Sequence, residues 1–470
     1  MTLRLHDTLT RALRDVAPLQ AGHVRMYTCG PTVYARSHIG NFRTFIFEDV
    51  LRRWLERRFR VTHVMNLTDV EDKIIRNATA ASRDLGEETA PWIDAFFEDL
   101  DVLNIRRADH YPRATEYIAQ MVELIERLGA AGVTYDTDGS VYYRIAAFPG
   151  YGRLSGARAE GLIAGAGGRV DADEYDKESP RDFALWKAVR ADEIGWDTPL
   201  GRGRPGWHIE CSAMSMALLG ESFDIHCGGV DNIFPHHENE IAQSEAATGR
   251  SFVQTWAHSA HLRIGGDKMA KSLGNFATMP DLVAAGARPS ALRYLLGAGA
   301  HYRKPVNYTD ASLHAAAESV DRFADFRARV DAHAPQDGGQ VAADPRITQT
   351  REAFEAAMDD DLNLPEAMGA VFTLIRSLNR DLDGGDLGDA SHAELVALIA
   401  EIDDVLGVLP LVDRERLGES LTADDDAVLA RREAARAERD WAESDRLREV
   451  LAERGVSVED TPSGQRWRRS

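Results

Sequence analysis

At 470 residues, 44% hydrophobic and 28% charged, the chain is too long for a single core and has no apolar run that could span a bilayer, so three or four domains are expected. Its 55 Lys and Arg against 76 Asp and Glu give a formal charge of −21; bulk charge therefore lends no support to a nucleic-acid partner, although an acidic protein can carry a local basic track. Three cysteines exclude a disulfide scaffold and leave thiols that are free, buried or metal-bound.

From the N-terminus, Met1-Thr2-Leu3-Arg4-Leu5-His6 lacks the basic-then-apolar profile of a signal peptide, and a cytoplasmic protein is expected. Val24–Gly30, Ile39–Arg58, Arg60–Met65 and the stretch from Val70 read as strand, helix, strand, helix, which predicts a parallel, doubly wound α/β sheet. Helical patterns follow over Trp92–Leu103 and Ala114–Leu128. Val133–Asp136 and Val141–Ile145 then flank Asp138-Gly139, a hairpin signal. The Gly- and Ala-rich stretch Ala157–Gly168 is expected to be a loop within a block inserted between two halves of the sheet. The sheet resumes at Phe223–Cys227 and Trp256–Ile264. After Asn275 the strand signal fades: Leu313, Ala317, Val320 and Ala324 share one helical face, as do Val371, Leu374, Ile375, Leu378 and Leu382, and then Leu395, Leu398, Ile399, Ile402 and Leu406. These predict a helical bundle with linkers at Pro335–Pro345 and Asp383–Asp389. A final unit begins near Leu421, with one charged helix over Asp425–Arg454 and a short tail.

Two short motifs carry chemistry. His38-Ile39-Gly40-Asn41 opens the first long helix after a strand, where backbone N–H groups and the helix dipole favour a triphosphate. His38 could add a hydrogen bond to phosphate, and Gly40 lets a purine lie against bare backbone. Lys268-Met269-Ala270-Lys271-Ser272 follows another strand-like run, and its two ammonium groups suit charge developing on a leaving phosphate. A third constellation is scattered. His236 and Glu240, spaced i, i+4, face one side of a helix, and with Cys29 and Cys211 they make a donor set of softness suited to Zn²⁺. On that spacing His237 points elsewhere. The alternative is that both cysteines are small buried hydrophobes, which is also the expectation for Cys227.

In this order the two motifs resemble the ATP signatures of class I aminoacyl-tRNA synthetases. Cys29-Gly30-Pro31-Thr32-Val33-Tyr34, Gly206-Trp207-His208-Ile209-Glu210-Cys211, Phe234-Pro235-His236-His237-Glu238-Asn239-Glu240 and Asn363-Leu364-Pro365 narrow the resemblance to the cysteinyl-tRNA synthetases, over nearly the whole chain. Asn41 stands where that family usually has His, Ala270 where Ser is usual, and Glu71 where Asp is usual.

The resemblance implies a Rossmann-type catalytic domain split into residues 1–110 and 206–275 around an inserted α/β subdomain at 111–205. A stem-contact region and all-α bundle would follow at 276–410, then a small anticodon-binding unit at 411–470. It implies ATP binding by Gly30, His38, Gly40, Asn41, Lys268, Lys271 and Ser272, with His38, Lys268 and Lys271 catalytic. Zn²⁺ would sit on Cys29, Cys211, His236 and Glu240, Mg²⁺ would accompany ATP, and L-cysteine and tRNA(Cys) would be the other partners of a monomer. Thr32 and Asp231 are candidates for the substrate's ammonium or ribose groups, and Trp207 either walls the amino-acid pocket or is plain core. Thr68-Asp69-Val70-Glu71-Asp72-Lys73 either meets ligand or caps the next helix. Arg432, Arg436 and Arg439 either touch RNA phosphates or pair along their helix, and Trp441 and Trp467 either stack on bases or pack. The rival readings are a paralogous ligase joining cysteine to an amino-sugar, and a non-catalytic RNA-binding protein with a structural zinc.

Overall fold

Seven elements carry the site: β1 (His23–Thr28), α1 (Ile39–Glu56), β2 (Arg60–Met65), α2 (Trp207–Leu219), β3 (Phe223–Gly229), α3 (Glu238–Thr248) and β4 (Val253–Ser259). The computed structural model describes residues 2–156, 179, 181–268, 277–333, 344–384, 389–417, 423–461 and 464–469. The four strands form one parallel sheet in the order β4-β3-β1-β2. Their near-continuous apolar character follows from cover on both faces: Met26, Tyr27, Val64, Phe223, Ile225, Cys227, Trp256 and Ala257 are all buried. From β1 the chain winds one way to β2, then returns to β3 on the other side of β1. The ends of β1 and β3 therefore flank a topological switch point, where open α/β sheets gather ligands.

α1 is buried on more than its sheet face. Phe42, Phe45, Ile46, Leu51 and Leu55 belong to a core that continues into Leu292, Leu296, Val405 and Leu406 of the helical region. Asp49, Arg52 and Arg53, which a surface helix would expose, are buried as well. The insertion carries a five-stranded antiparallel sheet, in the order Thr134–Thr137, Ser140–Tyr143, Phe183–Ala188, Gly201–Pro205, Trp196–Thr198. Asp138 and Gly139 both take positive φ (50° and 81°), as a two-residue hairpin turn requires. The Ala157–Gly168 segment lies outside the described residues, as does most of the Pro335–Pro345 linker. The bundle uses the expected faces: Val320 and Ala324, Val371 to Leu378, and Leu395 to Leu406 supply its core.

Three expectations need correction. The run Trp256–Ile264 is two strands, because after Ser259 the chain changes partners. Ala260 N–H bonds Tyr302 O (2.8 Å) and Val306 N–H bonds His261 O (3.3 Å). Leu262–Ile264 then pairs with Val306–Tyr308 in parallel and with Asp267–Lys268 antiparallel, so a strand exists where the apolar pattern had faded. The charged helix over Asp425–Arg454 is two helices, Ala423–Ala437 and Trp441–Glu453, broken where Arg439 takes φ 61°. No Gly or Pro marks this break. Asp440 capping Glu443 N–H (3.1 Å) was the available signal. The expected tail is a hairpin, Val456–Thr461 with Gly464–Arg469, and its Val456 closes a small core of Val428, Leu429, Leu447 and Leu451.

Candidate active site

A cavity opens at the switch point. Cys29, Gly30 and Thr32 from the end of β1, His38, Gly40, Asn41 and Thr44 from α1, and Trp207, Cys211, Asp231 and His236 line it together. Seven of the residues singled out in the sequence as ATP- or substrate-contacting, Gly30, Thr32, His38, Gly40, Asn41, Trp207 and Asp231, thus share one wall system. His38 is the N-cap of α1: its Nδ1 accepts from Asn41 N–H (3.3 Å), and Asn41 Oδ1 accepts from His38 N–H (3.1 Å). Asn41 therefore completes a reciprocal capping box, which fixes the direction in which the first turn presents its N–H groups. Ile39 N–H is already taken by Ala277 O (3.0 Å). Gly30 is bare for the protein's own sake, since a Cβ there would lie 1.8 Å from Asn66 O. Lys268 has its backbone paired with Arg263, while Lys271 and Ser272 lie outside the described residues.

The same cavity wall leads into a dense polar cluster. One donor atom each from Cys29, Cys211, His236 and Glu240 lie within 4.8 Å of one another, all buried. α3 begins directly after a π-turn, Ile233–His237, and His236 Nε2 approaches Glu240 Oε1 at 3.0 Å. That oxygen is fully buried and its contact with the His236 ring is not aligned as a hydrogen bond, so a lone pair remains turned toward the cluster. The hydrogen bond from Cys29 pulls the Cys211 thiol down to about 6, whereas burial pushes Cys29 up. Burial alone would keep His236 neutral, but the Cys211 thiolate and Glu240 carboxylate hold it up at about 10. Against its burial, Glu240 is held down at about 2 by His226 and His236. A thiolate and a carboxylate thus share a dry site with a proton on imidazole. Two sulfurs, one nitrogen and one oxygen, with an orphaned carboxylate lone pair, fit a thiophilic divalent cation.

The reading of His237 needs correction. The turn Ile233–His237 is not regularly helical, since Phe234 takes an extended φ/ψ of −137°/133°, so uninterrupted helix spacing does not set where His237 points. His237 Nε2 lies 3.2 Å from Cys29 Sγ. Cys29, His226, His237 and Glu240 form a second group within the same 4.8 Å limit. Sequence reasoning also missed His226, whose Nε2 meets Glu240 Oε2 at 2.9 Å, and His208, whose Nδ1 meets His236 Nδ1 at 2.9 Å. His208 sits in the Trp207–Cys211 motif and gave a usable signal; His226, inside a buried strand, gave none. Trp207 stacks on the His236 ring (centroids 4.3 Å apart, 25° between planes), which makes it a wall of the cluster and not remote core. Cys227 is a fully buried thiol outside both groups.

In the Thr68–Lys73 segment the roles divide. Thr68 lines the cavity, Glu71 caps the following helix by accepting from Lys73 N–H (3.0 Å), and Asp69 bonds Thr115 N–H and Oγ1. Arg432 is buried and bonds both Asp460 oxygens, which removes it as a free phosphate contact; Trp441 and Trp467 are 56% and 39% exposed.

The family model for the tRNA synthetases class I (C) catalytic domain matches residues 15–318, a DALR domain matches 353–410, and the cysteinyl-tRNA ligase anticodon binding domain matches 419–468. Proteins named cysteine–tRNA ligase are similar throughout: that of Solibacter usitatus is 46% identical over 100% of both chains, and that of Protochlamydia amoebophila 46% over 99% of this chain and 98% of its own. Among solved structures, a Mycobacterium tuberculosis methionyl-tRNA synthetase in complex with methionyl-adenylate superposes with a TM-score of 0.58, covering 83% of this chain and 90% of that one at 17% identity. A LeuRS–tRNA complex from Agrobacterium radiobacter gives 0.58, with 84% and 86% covered at 12% identity. Those two likenesses establish the fold. The full-length identity and the three matched domains establish that the chain belongs to the cysteine–tRNA ligase family of class I aminoacyl-tRNA synthetases.

Proposed function

We propose that the chain activates L-cysteine with ATP and transfers it to the 3′-terminal ribose of tRNA(Cys), with Zn²⁺ on Cys29, Cys211, His236 and Glu240 selecting the substrate thiol. The observation that carries this reading is the junction of a soft donor cluster with a helix N-terminus inside one cavity at the switch point. In the first step the cysteine carboxylate oxygen bonds the α-phosphorus, the bond from that phosphorus to the bridging oxygen breaks, and pyrophosphate leaves. In the second, a ribose hydroxyl bonds the carbonyl carbon and AMP leaves. Neither step needs a protein nucleophile; the protein positions the reactants and stabilises leaving-group charge.

When bound, zinc supplies a thiophilic centre that depresses a thiol pKa, a basis for separating cysteine from serine that pocket size cannot provide. Trp207, stacked on His236, closes the pocket beside that centre, and Thr32 and Asp231 face the substrate's ammonium or ribose groups. The α1 N-terminus, with His38, Gly40 and Asn41, receives the phosphates and purine of Mg²⁺-bound ATP, with Gly30 beside it. Lys268, Lys271 and Ser272 complete the phosphate contacts. Cysteine-dependent exchange of labelled pyrophosphate into ATP tests the first half, with serine as the competitor. Charging of tRNA against an amino-sugar acceptor tests the second. Metal-free protein that retains full exchange activity and still rejects serine would overturn the zinc assignment.

A further inference from the structure

Arg43 is a buried cation with no carboxylate partner among the described residues. It lies on α1, one turn beyond Ile39, and is not among the residues of that helix, Gly40, Asn41 and Thr44, that line the cavity. The side chain is 1% exposed, and burial drives its pKa down to about 10. Its guanidinium is spent on backbone carbonyls: Nη1 donates to Leu296 O, and Nη2 to Ala300 O (3.1 Å), His301 O (2.9 Å) and Lys304 O (3.4 Å). Leu296 lies in the last turn of helix Pro289–Ala298, where the partial negative end of the dipole faces the charge. A charge without a counter-charge is a costly way to close a helix end, and only a planar fork reaches several carbonyls at once.

What the fork holds is the frame of another stretch of the cavity wall. Residues 300–308 bond residues 260–266 along their whole length: Ala260 N–H to Tyr302 O, Val306 N–H to His261 O, Gly265 N–H to Tyr308 O (3.2 Å) and Gly266 N–H to Asn307 Oδ1 (2.8 Å). Ala260, His261 and Leu262 line the cavity, and the same strip runs into the Asp267–Lys268 strand. One side chain thus joins the helix that presents His38, Gly40 and Asn41 to the strip that delivers Lys268. We infer that Arg43 is a positioning residue for adenylate formation: its fork on the 296–304 carbonyls sets the separation between the α1 N-terminus and the 260–268 wall.

This rests on the reading of the cavity as the ATP site, so wild-type protein must first show cysteine-dependent pyrophosphate exchange; its failure would sink that reading and leave the Arg43 geometry unexplained. Arg43→Lys keeps the charge and loses the fork. It should lower kcat/KM for ATP in exchange by ~10- to 10²-fold, the scale of a small misplacement of reacting groups, while KM for cysteine and bound zinc change by no more than about two-fold. Asn307→Ala, at an exposed position, cuts the same strip at Gly266 without opening a buried charge site and decides the matter if Arg43→Lys fails to fold. It should shift ATP parameters in the same direction by a smaller factor. A purely structural Arg43 would lower thermal stability and depress the ATP and cysteine parameters together. That outcome, or unchanged ATP parameters in both variants, overturns the inference.

Discussion

The cavity at the switch point and the C-terminal unit handle recognition in opposite ways. In the cavity, the donor groups are dry: Cys211, His226, His236, His237 and Glu240 are all 2% exposed or less, and their neighbours fix which nitrogen or oxygen faces inward. In the unit matched by the anticodon-binding family model, the buried charged groups among the described residues are committed to partners, Arg432 to Asp460 and Asp425 to Arg454. The aromatic faces of Trp441 and Trp467 are exposed, with the Arg436 guanidinium 5.6 Å over Trp441. The contrast has a physical basis. Telling one atom from another in a small substrate requires desolvated, preorganised donors, whereas an RNA surface is met by exposed π-faces on which bases can stack.

The largest expected effect breaks the cavity side of this contrast. Cys211→Ser should release the metal and, with the thiol-binding centre gone, lower cysteine-dependent exchange by ~10³-fold, about 4 kcal/mol. Elemental analysis alongside the exchange assay checks it, and stoichiometric metal with wild-type exchange would count against the donor set. Next, Lys271→Ala should slow exchange by ~10²–10³-fold with metal content unchanged. Exchange at the wild-type rate would remove Lys271 from the chemistry. Trp441→Ala tests the other side: exchange should be unaffected, and kcat/KM for tRNA charging should fall by ~10-fold if the ring stacks on a base. A loss in both assays would show that the two regions are not separable.

The smallest effect concerns stability. Glu48 is fully buried on α1 without an ion-pair partner among the described residues, and burial, only partly offset by Thr28, raises its pKa well above the carboxylate range. A raised carboxyl pKa means that the folded state keeps a proton the unfolded chain releases, so this contribution is full below the unfolded pKa and is lost as pH rises toward the folded value. Glu48→Gln should therefore be near neutral at about pH 4 and stabilising by ~1 kcal/mol or more at about pH 8. Thermal melts at the two pH values that moved by the same amount would argue that Glu48 is not held protonated.

How much of this was legible follows the same divide. Strong local patterns were readable: the β1–α1–β2 alternation, the Asp138-Gly139 turn, the helical faces at Val371–Leu378 and Leu395–Leu406, and His38 heading α1. Breaks without Gly or Pro were not, as Arg439 and the change of partners after Ser259 show, because nothing in local propensity marks where a strand leaves one sheet for another.

By itself the sequence determined the donor types and their neighbourhoods. Cys29 had to end a strand beside a helix start, and His236 and Glu240 had to lie one helical turn apart, since those relations are local. Only the tertiary structure decided that Cys211 and His226 meet them, that His237 comes to lie beside Cys29, and that Arg43 ties α1 to the carbonyls of Leu296, Ala300, His301 and Lys304. Each of those is a contact between residues distant in the chain, set by sheet order and packing, to which periodicity and spacing are blind.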